Sequence, residues 1–340
     1  MKPLVGLMIA MACAVLAAQS PATRPLAIPM EPLQAILDAF SSHAVVALSE
    51  PHGNEQAAAF RLALIRDPRF AGAGTDIVIE SGNSRYQDVV DRFVSGQPVP
   101  DETLRRVWQD TTITYFVWDR PIYEQFFRAV RDVNASLPKQ KQLRLLLGDP
   151  PVDWNAVHTR EDLLKWQGLR ESSAASVVRD QVLAKGHRAL VIYGEGHFWR
   201  RNAGNNLVRR LEADGTKVFT ISAPILGPDL ASVQPSVSSW PRPSVALVRG
   251  TVIGAQNFQS YLGDANSNGD STRVEDQVDA VLYLGPPSSM TTSMLPARLC
   301  DSELYRTMRL GRMALEPGPP GSPPPADVLK TGCATTNPGK

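Results

Sequence analysis

Short catalytic and nucleotide-binding signatures are missing from this chain, and so is an excess of charge of either sign. The 340 residues contain only three cysteines and five histidines, with no Cys-x-x-Cys pair. No P-loop, dinucleotide fingerprint or Gly-x-Ser-x-Gly elbow occurs, which removes the usual sequence evidence for nucleotide binding and for a serine nucleophile. The net charge of +1 gives no nucleic-acid footprint. The 43% hydrophobic content is that of an ordinary globular protein.

The first residues predict export. Lys2 precedes a nearly unbroken apolar run from Leu4 to Leu16, and small residues follow, which is the pattern of a signal peptide over residues 1–19. The run is too short to span a membrane, so no transmembrane segment is expected in the mature chain. Cys13 as a lipoprotein acceptor is the disfavoured alternative, because the apolar run continues past it. We therefore expect a periplasmic or secreted protein.

Changes of composition divide the remaining chain into four parts. We predict a Pro-rich tether, a core α/β domain, a C-terminal extension packed on that core and a Pro/Gly-rich tail, at residues 20–30, 31–225, 226–315 and 316–340. Cys300 and Cys333 flank Pro/Gly-rich sequence. In an oxidising compartment they favour a disulfide over two unpaired thiols.

Short apolar runs alternate with helical patterns through the core. The runs that read as strands are residues 44–48, 76–80, 143–147, 190–193, 218–221, 245–248 and 281–284. Amphipathic stretches such as Glu55 to Arg66 and Ile122 to Asn134 lie between them. Strands that alternate with helices predict an α/β fold, with a mostly parallel central sheet flanked by helices.

One phrase occurs twice and is the most informative feature of the chain. Residues 46–52 and 191–197 each form an apolar run, then a small residue, then Glu-x-His, and a helix-like stretch follows each copy. The polar residues of these two half-repeats are Glu50 and His52 in the first and Glu195 and His197 in the second. Parallel strands deliver such residues to one edge of a sheet, where ligands bind, so a shared metal or acid–base site is predicted. The alternative is that Glu50 caps the next helix and that His52 is a solvated loop residue.

Further residues are candidates for the same site. Glu80 ends the second predicted strand, and its alternative role is a salt bridge with Arg85 or Arg120. Asp149 ends the third strand before two prolines that keep its loop extended, and its alternative is a simple turn residue. Trp199 either stacks on a ligand or belongs to the core. We assign Asp149, Arg85 and Trp199 to substrate binding, and Glu80 to catalysis or metal binding.

Four motifs, in chain order, resemble those of the erythromycin esterase-like and ChaN-like families, members of a wider group with the TIKI/TraB proteins. The matching segments are Ser49-Glu50-Pro51-His52-Gly53, Ile79-Glu80-Ser81-Gly82, Trp118 through Asn134 leading to Leu147-Gly148-Asp149, and Tyr193-Gly194-Glu195-Gly196-His197. There are two departures. Ser49 replaces the usual Gly, and one residue separates Glu50 from His52, as in ChaN-like proteins, whereas the esterases have two.

The resemblance implies a hydrolase of an ester or amide bond, in which a histidine tuned by carboxylates activates water, with or without a divalent metal. The catalytic candidates are Glu50, His52, Glu80, Glu195 and His197, and the candidate metal ligands are His52, His197 and Glu80. The ChaN-like branch implies the alternative, a haem- or iron-binding protein without turnover, in which the histidines and Tyr193 are ligands. A relative that only binds is a third interpretation, which Ser49 favours. The expected partner is a small-molecule substrate or haem.

A second motif fits a calcium-binding loop. The ligand positions of the twelve-residue pattern are occupied by Asp264, Asn266, Asn268 and Glu275. Ser271 stands where an EF-hand has an apolar residue, and the flanking sequence is poor in helical pattern. A solvated Asn/Asp/Gly turn is therefore the favoured alternative.

Overall fold

The computed structural model describes residues 24–201, 204–225, 227–263 and 271–333. The predicted signal peptide and the Cys13 alternative fall outside these ranges. Within them, seven strands join in a single sheet. The strands are β1 Val45–Ser49, β2 Thr75–Asn83, β3 Leu145–Asp149, β4 Arg188–Tyr193, β5 Val218–Ser222, β6 Ser244–Leu247 and β7 Ala280–Tyr283.

Helices connect the strands and cover both faces of the sheet. In the described ranges they are α1 Pro32–Ala39, α2 Glu55–Arg66, α3 Pro68–Gly72, α4 Gln87–Val94, α5 Asp101–Gln109, α6 Pro121–Ala135, α7 Arg160–Gln167, α8 Arg170–Ser176, α9 Leu207–Ala213, α10 Phe258–Tyr261, α11 Val274–Gln277, α12 Ala297–Cys300, α13 Glu303–Ala314 and α14 Pro325–Gly332. A π-helical turn, Val177–Val182, continues α8. Helix α2 begins where Asn54 accepts a hydrogen bond from the Ala57 N–H at 2.7 Å. Asn54 is therefore the cap of this helix, and the alternative in which Glu50 caps it is wrong.

The strand order is β3-β2-β4-β1-β5-β7-β6, and β6 alone runs antiparallel to its neighbour. The predicted α/β fold with a mostly parallel sheet is confirmed. The strands of the two half-repeats, β1 and β4, are direct neighbours, with Ser49 opposite Tyr193. The N–H of Glu50 donates to the carbonyl oxygen of Tyr193 at 2.8 Å, which extends the pairing to the first site residue.

Alternation along the strands separates two apolar layers. Val46, Leu48 and Ile79 pack with helices α1 to α6 on one face of the sheet, which we call the first face. Ala47 and Val78 pack with α8, its π-helical turn and α9 on the second face. Burial of each such side chain stabilises the fold by about 1.5–3 kcal/mol. Side chains alternate between the two faces of a strand. Glu50, two residues after Leu48, therefore points to the first face, and Glu80, two residues after Val78, points to the second.

The sheet continues beyond the predicted end of the core at residue 225. Strand β7 pairs in parallel with β5, with Ile221 opposite Ala280, and β6 then pairs with β7. Residues 226–315 therefore supply part of the central sheet and are not an extension packed outside it. Composition changes at this point because loops become long and rich in proline, while the backbone pairing of the sheet goes on.

The described part of the predicted tether is packed against the protein. The N–H of Ala27 donates to Gln234 Oε1 at 2.8 Å, and Met30 exchanges backbone hydrogen bonds with Val245 of the edge strand β6. Prolines kept regular structure out of this segment, as expected, but its backbone groups find partners elsewhere. Residues 24–30 thus pack in an ordered conformation along the edge of the sheet.

The predicted disulfide is present between Cys300 and Cys333, whose Cα atoms lie 5.7 Å apart. It joins α12 to the end of α14, so this part of the predicted Pro/Gly-rich tail holds a helix. Leu329 of α14 packs with Phe116 and Tyr305 in a small apolar cluster. No helix among the described residues is both long enough and apolar enough to cross a bilayer.

Candidate active site at the carboxyl ends of the strands

The first half-repeat forms a histidine–carboxylate pair. His52 Nδ1 and Glu50 Oε2 lie 2.6 Å apart, and Tyr123 of α6 donates to Glu50 Oε1 at 3.1 Å. The Arg61 guanidinium of α2 lies 3.3 Å from the same oxygen. Both helices belong to the first face, to which Glu50 turns. The edge of the Trp118 ring packs against the imidazole at a centroid distance of 4.7 Å. Glu50 therefore fixes His52 through Nδ1.

The charges around this pair set its protonation. Burial raises the pKa of Glu50, but Arg61 and the bond to His52 outweigh it, so the pKa lies below its usual value and the group is ionised at neutral pH. Burial lowers the pKa of His52, but the bond to Glu50 and the charge of Glu80 outweigh it and raise the pKa above 6.5. The His52 side chain is 38% exposed. With Nδ1 donating to Glu50, neutral His52 has a free acceptor at Nε2.

Glu80 is the centre of a second, more enclosed cluster. Its Oε1 pairs with Arg170 of α8 and lies 3.2 Å from His197 Nε2, and its Oε2 accepts from the Gly194 N–H at 2.7 Å. Burial raises the pKa of Glu80, but His197 and Arg170 hold it far below its usual value. The predicted alternative, a salt bridge with Arg85 or Arg120, is wrong in its partner. Arg85 pairs instead with Asp153 at 2.9 Å.

His197 of the second half-repeat carries a positive charge. Its Nδ1 lies 2.7 Å from Glu171 Oε1, off the axis of a hydrogen bond, and Nε2 faces Glu80. Burial lowers the pKa of His197, but Glu80 and Glu171 raise it to about 9. The ring is therefore an imidazolium at neutral pH and has no free acceptor. His197 can stabilise a charge, but it is not a base.

Gly194 brings the two clusters together. A Cβ at this residue would lie 2.9 Å from His52 Cε1 and 3.3 Å from Glu80 Oε2. Both distances are shorter than ordinary van der Waals contact, so only glycine leaves room for the imidazole and the carboxylate on either side of it. The structure thus places His52, Glu80 and His197 at one edge of the sheet, with Glu80 in contact with His197 and beside His52.

Asp149 lies behind Glu80 and is enclosed. It accepts from the Thr112 N–H at 2.7 Å, and Arg170 Nε lies 3.9 Å away. Burial raises the pKa of Asp149 to about 7, although Arg170 and Thr112 oppose this. Because Asp149 is only 2% exposed, it has no surface for a substrate. The carboxyl group of Asp149 is instead placed to hold Arg170 in position.

Glu195 faces a cavity of about 310 Å³ that His52 also lines. Its carboxyl group hydrogen-bonds Ser222, whose hydroxyl lies 2.7 Å from the hydroxyl of Tyr261. Burial raises the pKa of Glu195 to about 7, against the opposing contacts with Ser222 and Trp199. Among the described residues no cation pairs with this carboxyl group, and it does not contact His197, which follows two residues later. At neutral pH a large fraction of Glu195 is protonated and able to donate a proton.

The cavity collects residues from four segments. It is lined by Glu50, Pro51, His52, Gly194, Glu195, Trp199, Ala223, Pro224, Ile225, Gly227, Tyr261 and Leu262. Trp199 forms part of its wall and packs edge-on against Phe258 at 5.3 Å, so it is both a lining residue and part of the apolar packing. Larger surface cavities, of about 380, 510 and 1020 Å³, lie away from these histidines. We take the smaller one as the site because the titratable groups converge there.

The residues proposed as metal ligands are not arranged as ligands. In the described part of the chain, no group of three or more His, Cys, Asp or Glu side chains has the geometry of a metal site. The oxygens of Glu80 are taken by Arg170, His197 and a backbone N–H, and a cation at His197 repels a metal ion. Of the calcium motif, Asp264, Asn266 and Asn268 lie outside the described residues. Glu275 pairs with Arg24 at 2.8 Å and accepts from the Gly250 N–H.

Sequence reasoning missed the partners that helices and later strands supply. These are Arg61, Tyr123, Arg170, Glu171, Ser222 and Tyr261. Arg61 carries a usable signal, since it stands on the buried side of α2 together with Ala57, Ala58 and Leu64. A charged residue within an apolar helical stripe predicts a buried ion pair. Arg170 has no such signal, because it is the first residue of its helix.

Fold and site together define an α/β protein with histidine–carboxylate clusters at the carboxyl edge of a parallel sheet. Several solved structures are similar, including the three that follow. A succinoglycan biosynthesis protein has a TM-score of 0.52 at 10% identity over 79% of this chain and 96% of its own. A mutant of erythromycin esterase EreC in its open conformation has 0.48 at 11% over 77% and 94%. Haem-binding ChaN of Campylobacter jejuni has 0.38 at 14% over 56% and 85%.

These likenesses concern the fold alone. The matches include an erythromycin esterase and a ChaN protein, but identities of 10–14% do not transfer an activity. No protein-family model and no curated protein sequence matches the chain. The chemistry of this site must therefore be argued from its own side chains.

Proposed function

We propose that the protein is a hydrolase of a carboxylic ester or amide, with His52 as general base and Glu195 as general acid. One observation carries this proposal. His52, fixed by Glu50 through Nδ1, and Glu195, a carboxyl with a pKa of about 7, line the same 310 Å³ cavity. A base and an acid whose environments differ in this way are the usual requirement for acid–base hydrolysis.

The reaction follows from these positions. Neutral His52 accepts a proton from water at Nε2, and the oxygen of that water forms a bond to the carbonyl carbon of the substrate. When the bond to the leaving group breaks, protonated Glu195 gives its proton to the departing oxygen or nitrogen. Glu50 stabilises the imidazolium that forms, because it is ionised and 2.6 Å away. Exchange of a proton with solvent restores both groups.

The cofactors implied by the resemblance fit the site less well. The described residues offer a divalent metal no group of three ligands, and His197 is protonated rather than neutral. Two of the candidate haem ligands are unavailable. Tyr193 is fully enclosed, with its hydroxyl against Gly148, and His197 is paired with Glu80. Of the three candidate haem ligands, Tyr193, His197 and His52, His52 alone lines the cavity. The geometry therefore supports hydrolysis without a metal over haem binding. The Cys300–Cys333 disulfide supports an exported protein, since such bonds persist in oxidising compartments.

Substitution of the two acid–base groups tests the proposal. We expect His52→Gln to reduce kcat/KM for a p-nitrophenyl ester by about 10²–10⁴-fold, the usual contribution of a general base. Glu195→Gln should reduce kcat more for an alkyl ester than for the p-nitrophenyl ester, whose leaving group needs no proton. His158→Gln is the matched control, because His158 is exposed and distant from the cavity. Activity in all three variants equal to that of the wild type would refute the assignment.

The pH profile gives an independent readout. For an alkyl ester, whose leaving group needs a proton, activity should rise through the pKa of His52, which lies above 6.5, and fall as Glu195 loses its proton near pH 7, so we expect a narrow bell. Glu50→Gln should move the rising limb to lower pH, because the contact that raises the pKa of His52 is lost. A chelator should leave the profile unchanged. A Soret band on addition of haem that His52→Gln abolishes, without any turnover, would instead support the haem-binding alternative.

A further inference from the structure

We propose that the cavity selects an uncharged substrate with a small apolar substituent and discriminates against anionic substrates. This inference rests on the proposed function for the identity of the reaction, but it concerns what the cavity binds. The observation behind it is the pairing of an apolar wall with the complete absence of lysine and arginine among the described residues that line the cavity.

Part of the cavity wall is built from apolar side chains. Pro224, Ile225 and Leu262 form it together with the indole of Trp199 and with Ala223. Trp199 is held in place by its edge-on contact with Phe258. Such a surface is stabilised when an apolar group replaces water on it. A substituent bound here therefore gains from being apolar, and it meets few polar partners.

Three cations beside the site are committed to carboxylates, and a fourth, Arg120, donates to the carbonyl oxygen of His52 at 3.5 Å but does not line the cavity. Arg170 pairs with Glu80 and lies near Asp149, and Arg61 lies against Glu50. His197 lies between Glu80 and Glu171 on the far side of Gly194. Glu50 lines the cavity as an ionised group while its partner Arg61 does not, so the fixed charge that a bound substrate meets there is negative. A carboxylate on the substrate would lose its water without gaining a partner, and it would be repelled.

The size of the cavity limits the substituent. Its volume of about 310 Å³ is at the lower end of the range for ligand pockets. A water molecule occupies about 30 Å³ of liquid, so the cavity takes a group of roughly ten heavy atoms. A short alkyl or single-ring substituent fits within this limit, whereas a long acyl chain must extend past the lining residues into solvent.

Two p-nitrophenyl esters that share a leaving group test the selection. We expect kcat/KM for the butyrate to exceed that for the negatively charged hemisuccinate by about 100-fold. Ile225→Arg, at a partly exposed lining position, should reduce this ratio at least tenfold by giving the carboxylate a partner. Leu262→Arg tests the same expectation at a second lining position if Ile225→Arg folds poorly. Leu304→Arg is the matched control, because Leu304 is 81% exposed and does not line the cavity.

A binding experiment separates the two proposals. Butyrophenone and 3-benzoylpropionate have a ketone in place of the ester and cannot be hydrolysed. Calorimetry should detect the neutral ketone at a Kd at least tenfold lower than that of the acid, and Ile225→Arg should narrow the difference. Selective binding without turnover of any ester would overturn the proposed function and leave the selectivity standing. Equal binding of both ketones, or preference for the hemisuccinate, would overturn the selectivity itself.

Discussion

Neutralisation of Glu80 measures how strongly the enclosed cluster is coupled. In Glu80→Gln the side chain keeps an oxygen that can accept from the Gly194 N–H, so the shape of the cluster is retained and only its charge is lost. Arg170 and His197 then face a neutral amide inside the protein. Loss of one partner from a buried pair costs about 3–5 kcal/mol. His197 makes the consequence visible in the dependence of stability on pH.

The magnitude follows from the pKa of His197. This group titrates at about 9 in the folded protein and at 6.5 when unfolded. Because the folded pKa is the higher one, the stabilisation is fully present below pH 6.5 and disappears as pH rises through 9. A difference of about 2.5 pH units corresponds to about 3 kcal/mol. About 2 kcal/mol of this falls between pH 7.5 and 9.5, above the range in which Asp149 and Glu195 titrate.

Urea denaturation at pH 7.5 and pH 9.5, followed by tryptophan fluorescence, gives the two free energies of unfolding. The wild type should lose about 2 kcal/mol between them, and Glu80→Gln should lose much less. His197→Gln leaves Glu80 paired with Arg170, so it should flatten the dependence with a smaller overall loss of stability. Glu212→Gln, a partly exposed partner of Arg200, is the control and should behave as the wild type. An unchanged pH dependence in both site variants would refute the assignment of the charge to His197.

Three further predictions concern the support of the site. Gly194→Ala should abolish activity with little change in stability, because the new Cβ displaces the partly exposed His52 ring; an active variant would contradict this. Cys300→Ser should lower the free energy of unfolding of the oxidised protein by about 4 kcal/mol, from the loop that the disulfide closes; equal urea midpoints for variant and wild type would count against it. Arg309→Met should cost about 3–5 kcal/mol, since it leaves the fully buried carboxylate of Asp119 unpaired, and calorimetry checks this.

Strand positions are predicted well because burial on both faces leaves a simple sequence signal. The expected strand Leu190 to Tyr193 lies within β4, and the expected helix from Glu55 to Arg66 has the bounds of α2. The order of the strands has no such signal. The proximity of β1 and β4 could be suspected only because both carry the same phrase. The place of β7 within the central sheet was not predicted, because the proline-rich loops around this strand suggested a separate extension.

The chemical groups of the site are predicted better than their partners. The acids and histidines follow strands, so their place at the sheet edge is fixed by local sequence. Arg170 and Tyr123 come from helices far along the chain, and their approach depends on how those helices pack. The substrate-binding role assigned to Arg85 has no support in its position, because Arg85 forms a half-exposed salt bridge with Asp153 and does not line the cavity. Only a packed structure distinguishes an arginine that enters the site from one that stays in solvent.

The two copies of Glu-x-His show why the motif alone does not reveal mechanism. In the first copy, Arg61 keeps Glu50 ionised, and Glu50 in turn holds the histidine two residues later. In the second copy, no cation from the described part of the chain pairs with Glu195, so burial raises its pKa, while Glu80 on another strand keeps His197 protonated. In the proposed mechanism, the first copy therefore supplies the base, His52, and the second supplies the acid, Glu195. The difference depends on which of the two carboxylates has a cation from a helix beside it. Altering the Glu-x-His phrase alone should therefore not exchange the roles of the two carboxylates.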